Sequence, residues 1–419
     1  MTEKREILGL WWLPSNTEER WVGTLTLEPD RSPRLVVTVP KAFVQLDRKT
    51  QSAIHGHDQH GKSITLLFPS PSRSRGSAAL SQIDFTANYA VLGLQLTDHT
   101  AFCVHSLSLR VQHLYEWSGI TGFCKDDPGT LHDFNIRYTR PEKQTFQIDS
   151  DLSLELQATY WIKHSSKEKN LEEDLVLSFE SRRGLDLSRC KDLLNAIRHL
   201  LHFAVLQPVY PLNITLFRTD CGNTYNGRFI PNEIELWNSI IRERVESECL
   251  SERWVFQFKD VQTDFGAFMA KWLDYVEKFG EPLGCYFMTV YHRPPHTVEH
   301  LSLTQAFEAY HGIKYVSHKG RDFKDKIKQL AEANKPYLKG FIDDPADFAV
   351  TVLHNRNYYT HHNPKWKKDG RVVSGGDLYR LNEKLRLLFQ MCVLADMGIR
   401  SERFKRLRRQ LVSHIIDYV

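Results

Sequence analysis

The sequence predicts an α+β protein with a β-rich N-terminal part and a helical C-terminal part. Short apolar runs separated by turn residues fill the N-terminal part, which is typical of strands. From Phe265 onward, apolar residues recur at helical spacing. The composition, 41% hydrophobic and 25% charged, is that of a folded globular protein and excludes collagen-like, coiled-coil and wholly disordered chains.

The length of 419 residues leaves room for two or three domains. We predict a β-rich domain, sandwich-like or barrel-like, over about residues 1–185. A helical and mixed connector should follow over about 186–261, although residues 210–260 show no clear period. An α-helical domain should occupy about 262–419.

The predicted strands are apolar runs that end at Pro, Gly, Asn or Asp. In the run 152–162, Leu152, Leu154 and Leu156 alternate with more polar residues, which is the period of a half-buried strand. The eight predicted strands are 7–12, 21–27, 34–39, 64–68, 90–96, 134–138, 152–162 and 175–179.

The predicted helices begin near Asp186, where the apolar period changes and a helix should start at Leu187. The clearest helix start is Asp344-Pro345, because aspartate caps helices and proline suits the first helical position. Asn363-Pro364 should end that helix. The C-terminal helices are predicted over 265–279, 303–310, 323–333, 346–360, 378–397 and 401–418.

The charges are almost balanced, with 55 Lys and Arg against 51 Asp and Glu. A net charge of +4 gives no strong overall field, so nucleic-acid binding would depend on a local basic patch.

The chain shows no signal for export or membrane insertion. No apolar run approaches the roughly 18 residues that span a bilayer, and the N-terminus mixes acidic and basic residues without an apolar core. The seven cysteines are scattered without a CxxC pair, as expected of reduced thiols. We therefore predict a cytoplasmic protein without a membrane partner.

One motif matches the phosphate-binding loop pattern G-x-x-x-x-G-K-[ST] between Gly56 and Ser63. That loop must lead into a helix whose N-terminal amides hold phosphate. Here the strand-like run 64–68 follows it, so a polar hairpin loop is the better prediction.

A second motif, His296 to His300 with Glu299, matches the H-x-x-E-H pattern of inverted zinc peptidases. Two histidines at i and i+4 share a helix face, and Glu299 could activate a zinc-bound water. Pro294 and Pro295 stand just before it and no third ligand is evident, which favours two solvent-facing histidines at a helix start. A zinc-dependent hydrolase stays open as an alternative function.

A third motif lies at the end of the capped helix, where Arg356 and Asn357 precede His361 and His362. The spacing R-x4-H alone is weak, because Arg409 and His414 repeat it. The copy at Arg356–His361 is the stronger candidate, because it lies at the end of a helix whose start at Asp344 and stop at Pro364 are both predicted. The motif reads Arg356-Asn357-Tyr358-Tyr359-Thr360-His361.

This segment resembles the HEPN ribonuclease motif, and within that family it is most similar to the ApeA-like HEPN branch of anti-phage defence proteins. Two N-terminal segments are similar to the β-rich domain that precedes HEPN in those proteins, and the resemblance covers most of the chain. The first segment is Gly9-Leu10-Trp11-Trp12-Leu13-Pro14, followed by Val22-Gly23-Thr24-Leu25. The second segment is His55-Gly56, followed by Gly61-Lys62-Ser63-Ile64-Thr65-Leu66.

The resemblance implies a metal-independent endoribonuclease that acts in abortive infection and needs no cofactor. It implies cleavage of RNA, with tRNA as one candidate, after a phage component is sensed, which we assign to the N-terminal domain. It also implies a dimer or higher homo-oligomer whose interface forms the active site. Some HEPN proteins bind RNA without cleaving it, so a non-catalytic regulatory protein is a second alternative.

The candidate catalytic residues are Arg356, Asn357 and His361. Histidine suits proton transfer near neutral pH, and the planar donors of arginine suit a phosphate. Asn357 and His361 share a helix face, whereas Arg356 and His361 are about 140° apart on an ideal helix. Two protomers should therefore build one cleft. His362 also fits the spacing, but His361 is preferred because it is in phase with Asn357.

The candidate RNA-binding residues are basic side chains near this motif. Lys365 and Lys367 flank Trp366, which could stack on a base or pack against the protein. Basic residues also line one face of the predicted helix 401–418. The predicted RNA-binding residues are Lys365, Lys367, Lys368, Arg406 and Arg409.

Overall fold

The computed structural model of the protein describes residues 4–40, 52–76, 80–124, 137–164, 169–243, 254–316, 321–367 and 370–399. The chain divides into two compact units. The first comprises residues 1–198 and 209–248, and the second comprises 199–208 and 249–419. Strands dominate the first unit and helices the second, which confirms the predicted fold class.

The first unit is built on one antiparallel sheet, to which fourteen strands of the described residues belong. Their order across the sheet is β12-β13-β14-β9-β15-β18-β8-β5-β4-β1-β2-β3-β7-β6. β10 pairs with β11 and β16 with β17 in separate ribbons. In chain order the strands are β1 Arg5–Leu13, β2 Asn16–Leu27, β3 Arg34–Pro40, β4 Ala53–Asp58, β5 Ser63–Leu67, β6 Ser70–Gly76, β7 Leu80–Thr86, β8 Tyr89–Leu92, β9 Val104–Val111, β10 Phe123–Cys124, β11 Arg137–Tyr138, β12 Gln144–Gln147, β13 Leu152–His164, β14 Lys169–Leu185, β15 Pro211–Phe217, β16 Gly222–Tyr225, β17 Arg228–Pro231 and β18 Ile234–Asn238.

In the described part of the first unit α1 spans Leu114–Ser118, and α2 at Leu187–Val205 begins in the first unit and ends in the second. The predicted helix start at Leu187 is confirmed.

Trp11 on β1 shows how the sheet packs its core. Its indole is fully buried and donates a hydrogen bond to the Gly23 carbonyl oxygen at 3.0 Å. A Cβ atom on Gly56 would lie 2.3 Å from the Trp11 ring, so the residue at 56 must be glycine for this ring to fit. Gly56 therefore serves core packing, a role unrelated to phosphate binding.

The phosphate-loop pattern is the β4–β5 hairpin, as predicted. Asp58 closes its turn by accepting hydrogen bonds from the backbone N–H groups of His60 and Lys62, both at 2.8 Å. β5 follows directly at Ser63, so this loop leads into a strand and not into a helix.

The second unit contains seven helices within the described residues. They are α3 Phe265–Lys278, α4 Gly280–His292, α5 His296–Lys314, α6 Phe323–Ala333, α7 Lys335–Leu338, α8 Pro345–His361 and α9 Gly375–Asp396. The predictions for α3, α6, α8 and α9 are confirmed within a few residues, α5 is longer than predicted, and α4 was missed. The predicted helix 401–418 lies outside the described residues. Among the described helices, none is long and apolar enough to span a bilayer.

The core of this unit is aromatic and centres on Tyr286 of α4. Its ring stacks on Phe389 of α9 with ring centres 4.8 Å apart. Burial lowers the pKa of His202 to about 4, so this histidine is neutral. Its Nδ1 donates to the Gln207 carbonyl oxygen at 2.9 Å, which leaves Nε2 to accept from the Tyr286 hydroxyl at 2.8 Å. Tyr286 therefore joins His202 of α2 and Phe389 of α9 in this core.

Candidate active site

Helix α8 carries the Arg356–His361 motif and has defined ends. The Asp344 carboxylate accepts hydrogen bonds from the N–H groups of Ala346 and Asp347, at 2.8 and 3.1 Å. At the other end His362 adopts a left-handed conformation, with φ of 49°. His361 is therefore the last helical residue, and the chain turns away immediately after it.

The inner face of α8 is fixed to the segment 371–373. Asn355 is fully buried, donates to the Arg371 carbonyl oxygen at 2.9 Å and accepts from the Val373 N–H at 2.9 Å. The Tyr359 hydroxyl, one helical turn later, donates to the Val373 carbonyl oxygen. These two side chains hold the helix in place, and sequence reasoning gave Asn355 no role.

Arg356 points to another side of α8, towards α5 and α6. Its Nη2 donates to the Glu308 carboxylate at 2.9 Å, and its guanidinium lies over the Phe323 ring at 4.9 Å from the ring centre. Lys326 of α6 approaches the same carboxylate at 3.8 Å. Glu308 lies 48 positions away from Arg356, so no local pattern could have indicated the pair.

The structure does not bring Arg356 and His361 together within one chain. His361 is exposed at the helix end, and Asn357 is half-buried. No hydrogen bond or ion pair joins the guanidinium to the imidazole in the described part of the chain. This separation agrees with the angle of about 140° between their positions on an ideal helix.

Lys365 and Lys367 follow the motif on a short 3₁₀ turn at Pro364–Lys367. The Lys367 ammonium lies 4.6 Å from the centre of the Tyr358 ring, and its hydrogen bond to Tyr358 raises the pKa of this lysine. Both lysines are exposed, so the end of α8 carries positive charge at the surface. Lys368, Arg406 and Arg409 lie outside the described residues.

Trp366 is half-buried, with its ring centre 5.2 Å from that of His354 on α8. Of the two roles considered for this residue, packing against the protein has the direct structural support.

The H-x-x-E-H motif at the start of α5 is a structural network between α5 and α9. Glu299 is buried, forms an ion pair with Arg386 and accepts a hydrogen bond from Asn382 at 3.3 Å. His300 is fully buried and donates from Nδ1 to the Asn382 oxygen at 2.9 Å. The expectation of two solvent-facing histidines is therefore wrong for His300, although His296 is exposed.

This network argues against a zinc site. Burial lowers the pKa of His300, which favours the neutral ring that a metal would need. The neighbouring Glu299 carboxylate, however, is already paired with Arg386. Among the described residues, no group of three or more His, Cys, Asp or Glu side chains has a geometry that could hold a metal ion. The described residues around this motif therefore supply no third zinc ligand.

Comparison with known families accounts for both units. The ApeA N-terminal domain 1 model matches residues 6–272, and the Apea-like HEPN model matches residues 301–403. The first match covers more than half of the chain, so the protein belongs to the family with an ApeA N-terminal domain 1, and it carries an ApeA-like HEPN domain. The HEPN match includes all of α8 with Arg356 and His361. No match was found among curated proteins or solved structures.

Proposed function

We propose that the protein is a metal-independent HEPN endoribonuclease that acts in anti-phage defence by abortive infection. The observation that carries this proposal is the position of Arg356 and His361 at the C-terminal end of α8, inside the HEPN match, with two exposed lysines beside them. RNA brings its own nucleophile, the 2′-hydroxyl, so cleavage requires proton transfer and a cation for the phosphate.

In the proposed reaction the 2′-oxygen attacks the adjacent phosphorus and the bond to the 5′-oxygen breaks. His361 exchanges protons with these oxygens, because its exposed imidazole can reach a bound RNA strand. Arg356 binds the phosphate oxygens, and Asn357, on the same helix face as His361, orients the strand. The products are a 2′,3′-cyclic phosphate and a 5′-hydroxyl.

The proposed site is composite and formed by two copies of α8. Within one chain Arg356 faces α5 and α6, whereas His361 ends the helix in solvent. A second protomer can supply the partner group, as expected of a symmetric interface in which the same surface serves both subunits.

The proposed division of labour assigns sensing to the N-terminal domain, about residues 1–185, and cleavage to the helical domain, about residues 262–419. A phage component would trigger the nuclease through the N-terminal domain, and the substrate would be host or phage RNA, with tRNA as one candidate. The ion pair between Arg356 and Glu308 supports a resting state, because it occupies the arginine that would bind RNA. Infection would then free Arg356 for the substrate.

The proposal is tested by mapping RNA ends in phage-infected cells that express the protein, because the proposed nuclease rests until infection. Wild type should produce new ends with 2′,3′-cyclic phosphates and 5′-hydroxyls, and Arg356→Ala should abolish them. Arg380→Ala is the matched control, because Arg380 is similarly exposed (36% against 34%) and also pairs with a carboxylate.

Protein purified from phage-infected cells should cleave RNA in the presence of EDTA. Cleavage that disappears in EDTA and returns with zinc would support the alternative of a zinc-dependent hydrolase. Binding of RNA by wild type without any cleavage would instead support the non-catalytic alternative.

A further inference from the structure

A small charged cluster surrounds Arg356 where α5, α6 and α8 meet. Glu308 of α5 accepts from Arg356 at 2.9 Å and lies 3.8 Å from the Lys326 ammonium. Phe323, the first residue of α6, lies under the guanidinium. Two cations thus converge on one carboxylate, which leaves the cluster with a net positive charge.

The Lys326 side chain is less exposed than that of Lys328 on the same helix. It is only 16% exposed, whereas Lys328, one of the other lysines of that helix, is 43% exposed. The Phe323 ring similarly restricts Arg356, because a guanidinium is held over an aromatic face by the ring's electrostatic field. The two cations are therefore directed at the position of the Glu308 carboxylate, which an anionic oxygen of another molecule could take.

We propose that an RNA phosphate binds between Arg356 and Lys326 and displaces the carboxylate of Glu308. Lys326 is then a further phosphate-binding residue, and Glu308 is a built-in competitor that weakens RNA binding in the resting protein. This inference rests on the proposed function, because it takes Arg356 as a phosphate-binding group.

The exchange is energetically accessible. The Arg356–Glu308 pair is partly exposed, with 34% and 42% of the two side chains accessible, and such pairs contribute little to stability. A phosphodiester presents two anionic oxygens, which suit the paired donors of a guanidinium better than one carboxylate oxygen does. Once displaced, the Glu308 side chain can return to solvent without leaving a buried charge unpaired.

The test measures binding of a mixed-sequence 2′-O-methyl RNA oligonucleotide, which cannot be cleaved because its 2′-oxygen carries no proton. Lys326→Met should weaken binding several-fold and reduce the salt dependence by about 0.7 in the logarithmic slope, the value for one phosphate contact on a single strand. Lys326→Arg should retain binding. Lys328→Met, on the same helix, is the matched control and should bind like wild type.

Removal of the competing carboxylate of Glu308 should change RNA binding in the opposite direction. Glu308→Gln should strengthen binding, by up to about fivefold given the strength of a surface ion pair. The control is Glu332→Gln, which removes the carboxylate that lies 3.8 Å from Lys328. Thermal melting of each variant confirms that it is folded.

The inference is overturned if Lys326→Met binds the oligonucleotide as tightly as Lys328→Met does, or if Glu308→Gln binds it no more tightly than wild type. It is also overturned if neither wild type nor Glu308→Gln binds the oligonucleotide at low salt.

Cleavage of ordinary RNA separates this inference from the proposed function. Cleavage that depends on His361 but not on Lys326 would sink the inference and leave the function standing. The expected binding pattern in a protein that never cleaves RNA would support the phosphate site and refute the nuclease.

Discussion

At the scale of single residues, α8 separates the groups that hold the helix from the groups that could act on RNA. Asn355 and Tyr359 face the segment 371–373 and are engaged by its backbone. The His361 side chain is exposed, and the Asn357 side chain makes no hydrogen bond among the described residues. Stability and the proposed activity should therefore respond to different substitutions on the same helix.

His361→Ala should lower RNA cleavage by about 10²–10⁴-fold, the range for loss of a general acid–base group. The melting temperature should hardly change, because the side chain is exposed. His292→Ala is a matched control, since His292 is also an exposed histidine at the last position of a helix.

His362 needs a different substitution, because its φ of 49° disfavours alanine. His362→Asn keeps that backbone conformation, which asparagine tolerates, and should retain cleavage. The opposite result, an active His361→Ala beside an inactive His362→Asn, would transfer the acid–base role to His362.

Asn355→Ala should destabilise the protein by about 1–3 kcal/mol, because it removes the hydrogen bonds that the fully buried Asn355 amide makes to the Val373 N–H and the Arg371 carbonyl oxygen. Asn357→Ala, two positions away, should change the free energy of unfolding by less than about 0.5 kcal/mol. Denaturant unfolding of both variants measures the difference. Equal losses of stability would show that the attachment of α8 to segment 371–373 is not what fixes this helix.

At the scale of elements, the sequence predicts best the structures that local signals determine. Both ends of α8 follow from local residues, since an aspartate and a proline stand at its start and another proline follows its end. The observed helix, Pro345–His361, differs by one residue at each end from the predicted 346–360. By contrast α4 contains Gly280, Pro282 and Gly284, which are poor helix formers, so its helical pattern is obscured.

Elements that depend on distant partners could not be predicted. β15 and β18 lie in the stretch that showed no clear period, and they join the sheet by pairing with β9 and β8, far away in the chain. The same limit applies to the site, because the motif on α8 is local whereas Glu308 and Lys326 reach Arg356 from two other helices. Sequence patterns therefore gave the candidate catalytic residues but not their surroundings.

The link between α5 and α9 gives an element-scale prediction. Glu299→Ala removes one of the two carboxylates that pair with Arg386, the other being Glu383, and should cost about 2 kcal/mol in the free energy of unfolding, as expected when hydrogen bonds between charged groups are lost. Glu277→Ala, at an exposed position of α3, is the control and should have little effect. Calorimetry or urea unfolding tests this, and an unchanged stability in Glu299→Ala would mean that the carboxylate is free for another role, including metal binding.

At the scale of the whole molecule, the proposed composite site would make activity a property of the assembly. One chain presents Arg356 and His361 on different sides of α8. A two-fold interface would then create two equivalent sites, each with the arginine of one protomer and the histidine of the other. Such an arrangement predicts that two inactive variants can complement each other.

A mixture of Arg356→Ala and His361→Ala proteins, unfolded and refolded together, tests this arrangement. Random pairing makes about half of the dimers mixed, and each mixed dimer has one of its two sites intact, so cleavage should return to about a quarter of the wild-type rate. Each variant alone should stay inactive, and gel filtration confirms that dimers form. If each site used the arginine and histidine of a single chain, every chain in the mixture would lack one group and no activity would return. Full activity of a strictly monomeric wild type would also exclude the composite site, while leaving the roles of the individual residues to be judged from their own variants.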